Sequence, residues 1–202
     1  MRDLGKALVD IAAMRQQMAR SSQFHGYGPS TLAATALLAV VAAAVQAWYV
    51  PDPVADITGY LALWISTAAL SILLIGIEVV TRSRRIHSGL ADEMIQLAAE
   101  QQLPAIVAGA LLTWVLVRYG PQSLWLLPGL WQILLSLGMF AASRSVPRPM
   151  VVVGVWYMVS GLVCIALAGG SNAFSPLAMG VPFGLGQLLA AALLQFAGGS
   201  DE

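Results

Sequence analysis

Charge is what this chain has least of: ten basic and ten acidic residues among 202, or 10% of the whole. Water-soluble domains carry about 25%, so there are too few charged groups to cover a globular surface. The two signs cancel to a net charge of zero, which leaves no bulk field to attract nucleic acid directly. Histidine occurs twice, as His25 and His87, and cysteine once, as Cys164. A single thiol excludes an intrachain disulfide, and within an apolar run it behaves as a small hydrophobe. No helix carries paired histidines, so no metal, haem or other cofactor is expected. Also missing are a Ser-His-Asp order, a phosphate-cradling glycine loop and paired carboxylates inside an apolar run. These absences argue against a membrane protease, a nucleotide-driven pump and a proton-coupled exchanger with a familiar relay. No catalytic residue is assigned, and a non-enzymatic role is expected.

What the chain does have is apolar length. Hydrophobic residues make up 58% of it, and its mean hydropathy is +0.78. A helix needs about 20 apolar residues to cross the hydrocarbon core. Six runs meet or approach that length, at 31–50, 57–80, 103–117, 123–142, 150–168 and 174–197. The third is short unless the stretch before Pro104 continues it, which proline near a helix start permits. Turn chemistry punctuates the runs at Pro51-Asp52-Pro53, Gly120-Pro121, Pro147-Arg148-Pro149 and Gly169-Gly170-Ser171-Asn172. The first run begins near Thr31 behind a charged segment and is long enough to span, so it is expected to stay as an anchor rather than be cleaved. The fold class is therefore an all-α integral membrane protein, a bundle of about six transmembrane helices. Its short connections should pack consecutive helices as antiparallel neighbours.

Orientation follows from the basic residues. Arg2, Lys6, Arg15 and Arg20 precede the first run; Arg82, Arg84 and Arg85 follow the second; Arg144 and Arg148 follow the fourth. Nine of the ten thus fall on one side, and only Arg118 on the other. With an even helix count, both termini are expected in the cytoplasm, with 199–202 as a short acidic tail.

Two cytoplasmic segments have helical character. Within residues 1–28, which lead to the membrane, Leu4, Leu8, Ile11, Met14 and Met18 recur at helical spacing, with Arg2, Lys6, Asp10 and Arg15 on the other side. Such an amphipathic helix can lie among lipid headgroups, dock on the bundle or dock on a partner. Residues 90–102 read similarly, with Leu90, Met94, Leu97 and Gln101 on one stripe and Asp92 and Glu93 in the first turn, where the helix dipole favours acids.

The candidate sites each have a plain packing reading beside a functional one. Glu78 is the one ionisable group well inside an apolar run, which marks it as a functional candidate. Arg82 follows four residues later, so the two can pair and act as a structural cap at the membrane surface. In the sixth run, Gly180, Pro182, Gly184 and Gly186 weaken the helix ladder and allow close approach of a neighbour. Gln187 then places an amide near mid-membrane. This is either a tight packing seam or a ligand-lining broken helix of the kind transporters use. Pro128-Gly129, Trp131 and Gln132 of the fourth run are able to face the same region, with Trp64 as a further deep aromatic. Gly180 and Gly184 also offer a seam for a homodimer. Trp48, Tyr49, Trp114, Tyr119 and Trp125 gather toward the outer face, as an aromatic belt does.

The stretch Ile11-Ala-Ala-Met14-Arg15-Gln-Gln-Met18-Ala19-Arg20-Ser21, followed by Phe24 and Gly26-Tyr27-Gly28, resembles the opening of an uncharacterised family of small bacterial polytopic membrane proteins. In that family an Ile-Arg-x-x-Met-x-Arg-Ser-type amphipathic helix leads through a Gly-aromatic-Gly approach to the first span. The resemblance continues at Leu103-Pro104 to Leu112-Thr113, at Pro128-Gly129-Leu130-Trp131 and at residues 179–187. Ala19 replaces a usual acid, and Gln187 stands where many members have histidine, so no histidine-dependent role carries over. Members resemble companions of small winged-helix regulators. The resemblance thus implies a sensory or regulatory protein of the bacterial inner membrane, possessing a cytoplasmic protein partner. The other function to weigh is a small transporter or channel component built on the interrupted sixth helix.

Overall fold

A computed structural model describes residues 28–86, 91–144, 148–167 and 170–199. The amphipathic segment with Leu4, Leu8, Ile11, Met14 and Met18, together with His25, His87 and the tail beyond residue 199, lies outside the described residues. Six helices account for nearly all of the rest: α1 (Pro29–Tyr49), α2 (Ile57–Ile86), α3 (Ala91–Tyr119), α4 (Leu127–Ala141), α5 (Val151–Leu167) and α6 (Pro176–Gly199). Among the described residues there is no strand. The chain is an all-α membrane bundle. Five helical stretches are long and apolar enough to cross a bilayer, and α5, at 17 residues, sits at the lower end of that range.

Local chemistry sets the helix ends. Gly28 precedes α1 and Pro29 takes its first position, where a missing N–H costs nothing. After α1, the Asp52 carboxylate accepts the backbone N–H groups of Val54 and Ala55, both at 3.2 Å. Asp56 then caps α2 by accepting the Gly59 N–H at 2.9 Å. Along α2 the hydroxyls of Ser66, Thr67, Ser71 and Thr81 donate to carbonyls one turn back, which hides them from lipid. α3 runs unbroken through Pro104, so the third span is completed from its N-terminal side. A 3₁₀ stretch, Pro121–Leu126, leads into α4.

Consecutive helices pack against one another, but the tightest seam joins the first helix to the last. Gly180 faces Ala43 and Gly184 faces Val40, with a Cβ at either position meeting its neighbour at 2.6 Å and 3.3 Å. Small side chains on both helices permit this approach. The second close seam joins α4 and α5. There Gly129 and Gly161 lie so near that a Cβ on each would reach the other's carbonyl oxygen at 2.6–2.7 Å. α2 and α3 complete the bundle from outside. Only 11% of each of their membrane windows is buried, against 33–39% for α1, α4 and α6.

Apolar packing forms two layers. Tyr60, Trp64, Leu127, Phe174 and Met179 fill one half of the bundle. Leu32, Met150, Val153, Tyr157 and Ala190 fill the other, toward the end where Arg82 lies. Large apolar side chains such as Leu73, Leu111, Val159 and Leu177 cover the outside. Lipid, not water, is the solvent that such a surface fits.

Candidate functional site

The least apolar part of the interior is the half of the bundle opposite Arg82, where two glutamines grip the last helix and the turn leading into it. Both serve carbonyls that the helix itself leaves without a partner. Pro182 has no N–H, so the Ala178 carbonyl one turn earlier loses its helical donor. The Gln132 side chain on α4 supplies one, donating from Nε2 to Ala178 O at 3.0 Å and to Pro128 O at 3.1 Å. At the start of α6, the Ala178 N–H turns to Ser175 O at 2.9 Å rather than to Phe174 O. Gln46 on α1 fills that gap, donating to Phe174 O at 2.6 Å. Its Oε1 in turn accepts the Trp64 indole N–H from α2 at 2.8 Å. Neither Gln46 nor Gln132 is exposed at all. Unpaired polar groups are costly in hydrocarbon, so these amides hold α1, α2, α4 and α6 in register.

Both polar atoms of the Gln46 side chain have a partner, but only one of the Gln132 side chain does. With both amide hydrogens committed, Gln132 Oε1 is buried without a partner. The hydroxyls of Tyr60 and Tyr157 and the Oε1 of Gln102 are buried and unpartnered too. Tyr60 stacks edge-on against Phe174 at 4.9 Å. The Tyr157 ring lies against Gly186, where a Cβ would overlap it at 2.5 Å. One turn before Tyr157's neighbours on α6, the Trp156 indole donates to Pro182 O at 2.9 Å.

Of the residues singled out in the sequence, Gln132 and the Pro182 region do meet. Trp131, adjacent to Gln132, turns instead toward α3 and donates to Thr113 Oγ1 at 2.9 Å. Trp64 belongs to the Gln46 pair. Gln187 is half-buried, nine residues beyond the carbonyl that Gln132 holds, or about 13 Å along the helix. Gln132 and Gln187 therefore do not form one two-amide pocket. Gly180 and Gly184 are consumed by α1 of the same chain, so a second copy has to use another face. The amide that does share the region with Gln132 is Gln46, a polar residue inside the first apolar run that was visible in the sequence as such.

Glu78 and Arg82 pair at 3.8 Å, each about one-third exposed. The Glu78 carboxylate lies against Gly28, at the N-terminus of α1, where the helix dipole favours an anion. The pair thus pins the end of α2 to the start of α1. Gly28, Thr31, Leu32, Ile75 and Glu78 border a shallow crevice with no enclosed space for a small molecule. Among the described residues no three His, Cys, Asp or Glu side chains come together as a metal site. Cys164 is free and half-buried. Trp48, Tyr49, Trp114 and Tyr119 stand exposed at the opposite end from Glu78, with the Arg118 guanidinium 5.7 Å above the Tyr119 ring. No family model, no curated protein and no solved structure matches the chain.

Proposed function

We propose that this protein is a sensory or regulatory component of the bacterial cytoplasmic membrane, with both termini inside and no enzymatic activity of its own. The observation that supports this reading is the unequal burial of the helices. α2 and α3 have 11% of their membrane windows buried, so their surfaces answer chiefly to the surrounding lipid. They are also the longest helices, at 30 and 29 residues, or about 45 and 43 Å. Residues 91–98 of α3 extend about 12 Å past its membrane window. A loosely held hairpin of this kind can take input from the bilayer, or from a lipophilic molecule dissolved in it, and present output at the arginine-rich end. Arg82, Arg84 and Arg85 lie at that same end of the hairpin, where the positive-inside bias puts the cytoplasm. The family resemblance of residues 11–28 supports a winged-helix regulator as the partner, with residues 1–22 as a second contact.

A photo-crosslinking residue at Gln96, exposed on the projecting turn, tests this in cells. A discrete adduct with a cytoplasmic regulator, lost on Arg84→Glu/Arg85→Glu, is expected. Adducts with lipid alone count against the reading.

One observation favours a second reading, a small transporter or channel component: the proline-interrupted α6 beside a buried acceptor, Gln132 Oε1. Flux into proteoliposomes should then fall with Gln132→Leu and change little with Gln187→Leu. Equal flux in both variants removes this reading.

A further inference from the structure

The last helix is interrupted once and fastened on both sides of the interruption. Pro182 breaks the backbone ladder of α6 at Ala178 O, and glycines at 180, 184 and 186 thin the helix around it. Kinks and pivots in membrane helices occur at such proline–glycine sites. Before the break, Gln132 of α4 holds Ala178 O; at the break, Trp156 of α5 holds Pro182 O. Both donors come from the closely packed α4–α5 pair. The segment 174–182 is thus attached to its surroundings by side chains, among them Gln46 on Phe174 O, whereas helices ordinarily rely on their own ladder. Gln132 is also an incomplete fastening, because its Oε1 is buried and unpaired. A buried acceptor without a partner lowers the stability of the arrangement that contains it.

We propose that α6 is a two-position helix that pivots at Pro182, and that Gln132 and Trp156 are the catches holding its outer segment and the turn before it, 174–182, in the position seen here. When the catches release, that segment swings away from α4 and α5 about its Gly180–Ala43 contact with α1, while 183–199 stays seated on α1 and α5. The pivot depends on helix geometry alone and is separate from the signalling and transport readings.

Distance measurements between paired spin labels in lipid nanodiscs test it, in a full-length Cys164→Ala background. One pair, at the exposed Leu177 and Leu162, spans the outer segment and α5; the other, at the exposed Leu188 and Val152, spans the inner segment and α5. Gln132→Leu is expected to add a second outer-pair distance in about a tenth of molecules or more, leaving the inner pair unchanged. Trp156→Phe should act in the same direction. Adding Pro182→Ala restores the N–H for Ala178 O, so the second distance should disappear. An unchanged single outer distance in both catch variants overturns the proposal. So does joint movement of the inner and outer pairs, or a second distance that persists with Pro182→Ala. Monodisperse elution and an unaltered inner-pair distance separate a released catch from a misfolded chain.

Discussion

At the scale of single residues, the interior is governed by a few polar atoms that have no water to fall back on. Gln46 makes two buried hydrogen bonds, to Phe174 O and from Trp64. Gln46→Leu removes both and leaves a carbonyl and an indole N–H unpaired, so it should lower stability by about 2 kcal/mol. Gln187→Leu, at a half-buried position, should stay within about 0.5 kcal/mol. Equilibrium unfolding in bicelles compares the two, and equal losses would contradict the assignment of Gln46 as the stronger tie. Glycines sort in the same way. A Cβ on Gly161 meets Gly129 O at 2.7 Å and Ile133 at 2.8 Å, whereas a Cβ on Gly76 meets nothing within 4 Å. Gly161→Ala should therefore lose about 1–3 kcal/mol by forcing α4 and α5 apart. Gly76→Ala should be neutral or gain up to about 1 kcal/mol from helix propensity. Only backbone approach distinguishes the two sites, since both are glycines within apolar helices.

At the scale of elements, hydropathy and turn residues are local signals, and they made the helices legible. The apolar runs beginning at Ile57 and ending near Tyr49 and Tyr119 coincide with helices because Pro51, Asp56 and Gly120 stop or start them on the spot. Pairing was less legible because it is non-local. α1 meets the 3₁₀ stretch leading into α6 across a sequence separation of 128 residues, at Gln46 and Phe174, and no periodicity within either helix names its partner. The same limit applies to the two amides, whose convergence no local pattern decides: Gln132 lies opposite the Ala178 carbonyl, and Gln187 is more than two turns further along the helix. Glu78 and Arg82 were readable as a pair because four residues on one helix fix their proximity, but the approach of Gly28 was not. That pair is one-third exposed, so its coupling should be below about 1 kcal/mol and should weaken with salt. A double-mutant cycle with Glu78→Gln and Arg82→Gln measures it, and a coupling of several kcal/mol would show that the pair is shielded from solvent.

At the scale of the whole molecule, the bundle has an inner frame and an outer hairpin. The α1–α6 and α4–α5 seams are made of small residues and buried amides, which give close backbone contact without a hydrophobic driving force between helices in lipid. α2 and α3 lean on that frame with most of their surface outward. The frame carries most of the buried contacts, and the hairpin presents most of its surface to the bilayer. The two ends also differ chemically. One carries the exposed indoles and phenols of Trp48, Tyr49, Trp114 and Tyr119; the other carries Glu78, Arg82 and the projecting turns of α2 and α3. Aromatic side chains anchor at either interface, whereas arginine clusters resist transfer across the membrane. On that ground we propose that the arginine-rich end lies in the cytoplasm.

Single-cysteine accessibility tests this central claim directly. Asp56→Cys and Gln122→Cys mark the aromatic end, Gln96→Cys marks the arginine-rich end, and all are built on Cys164→Ala. A membrane-impermeant maleimide should label the first two in intact cells and reach the third only after the membrane is opened. Labelling of all three in intact cells, or of Gln96→Cys alone, would contradict a multi-pass bundle with its arginines held inside.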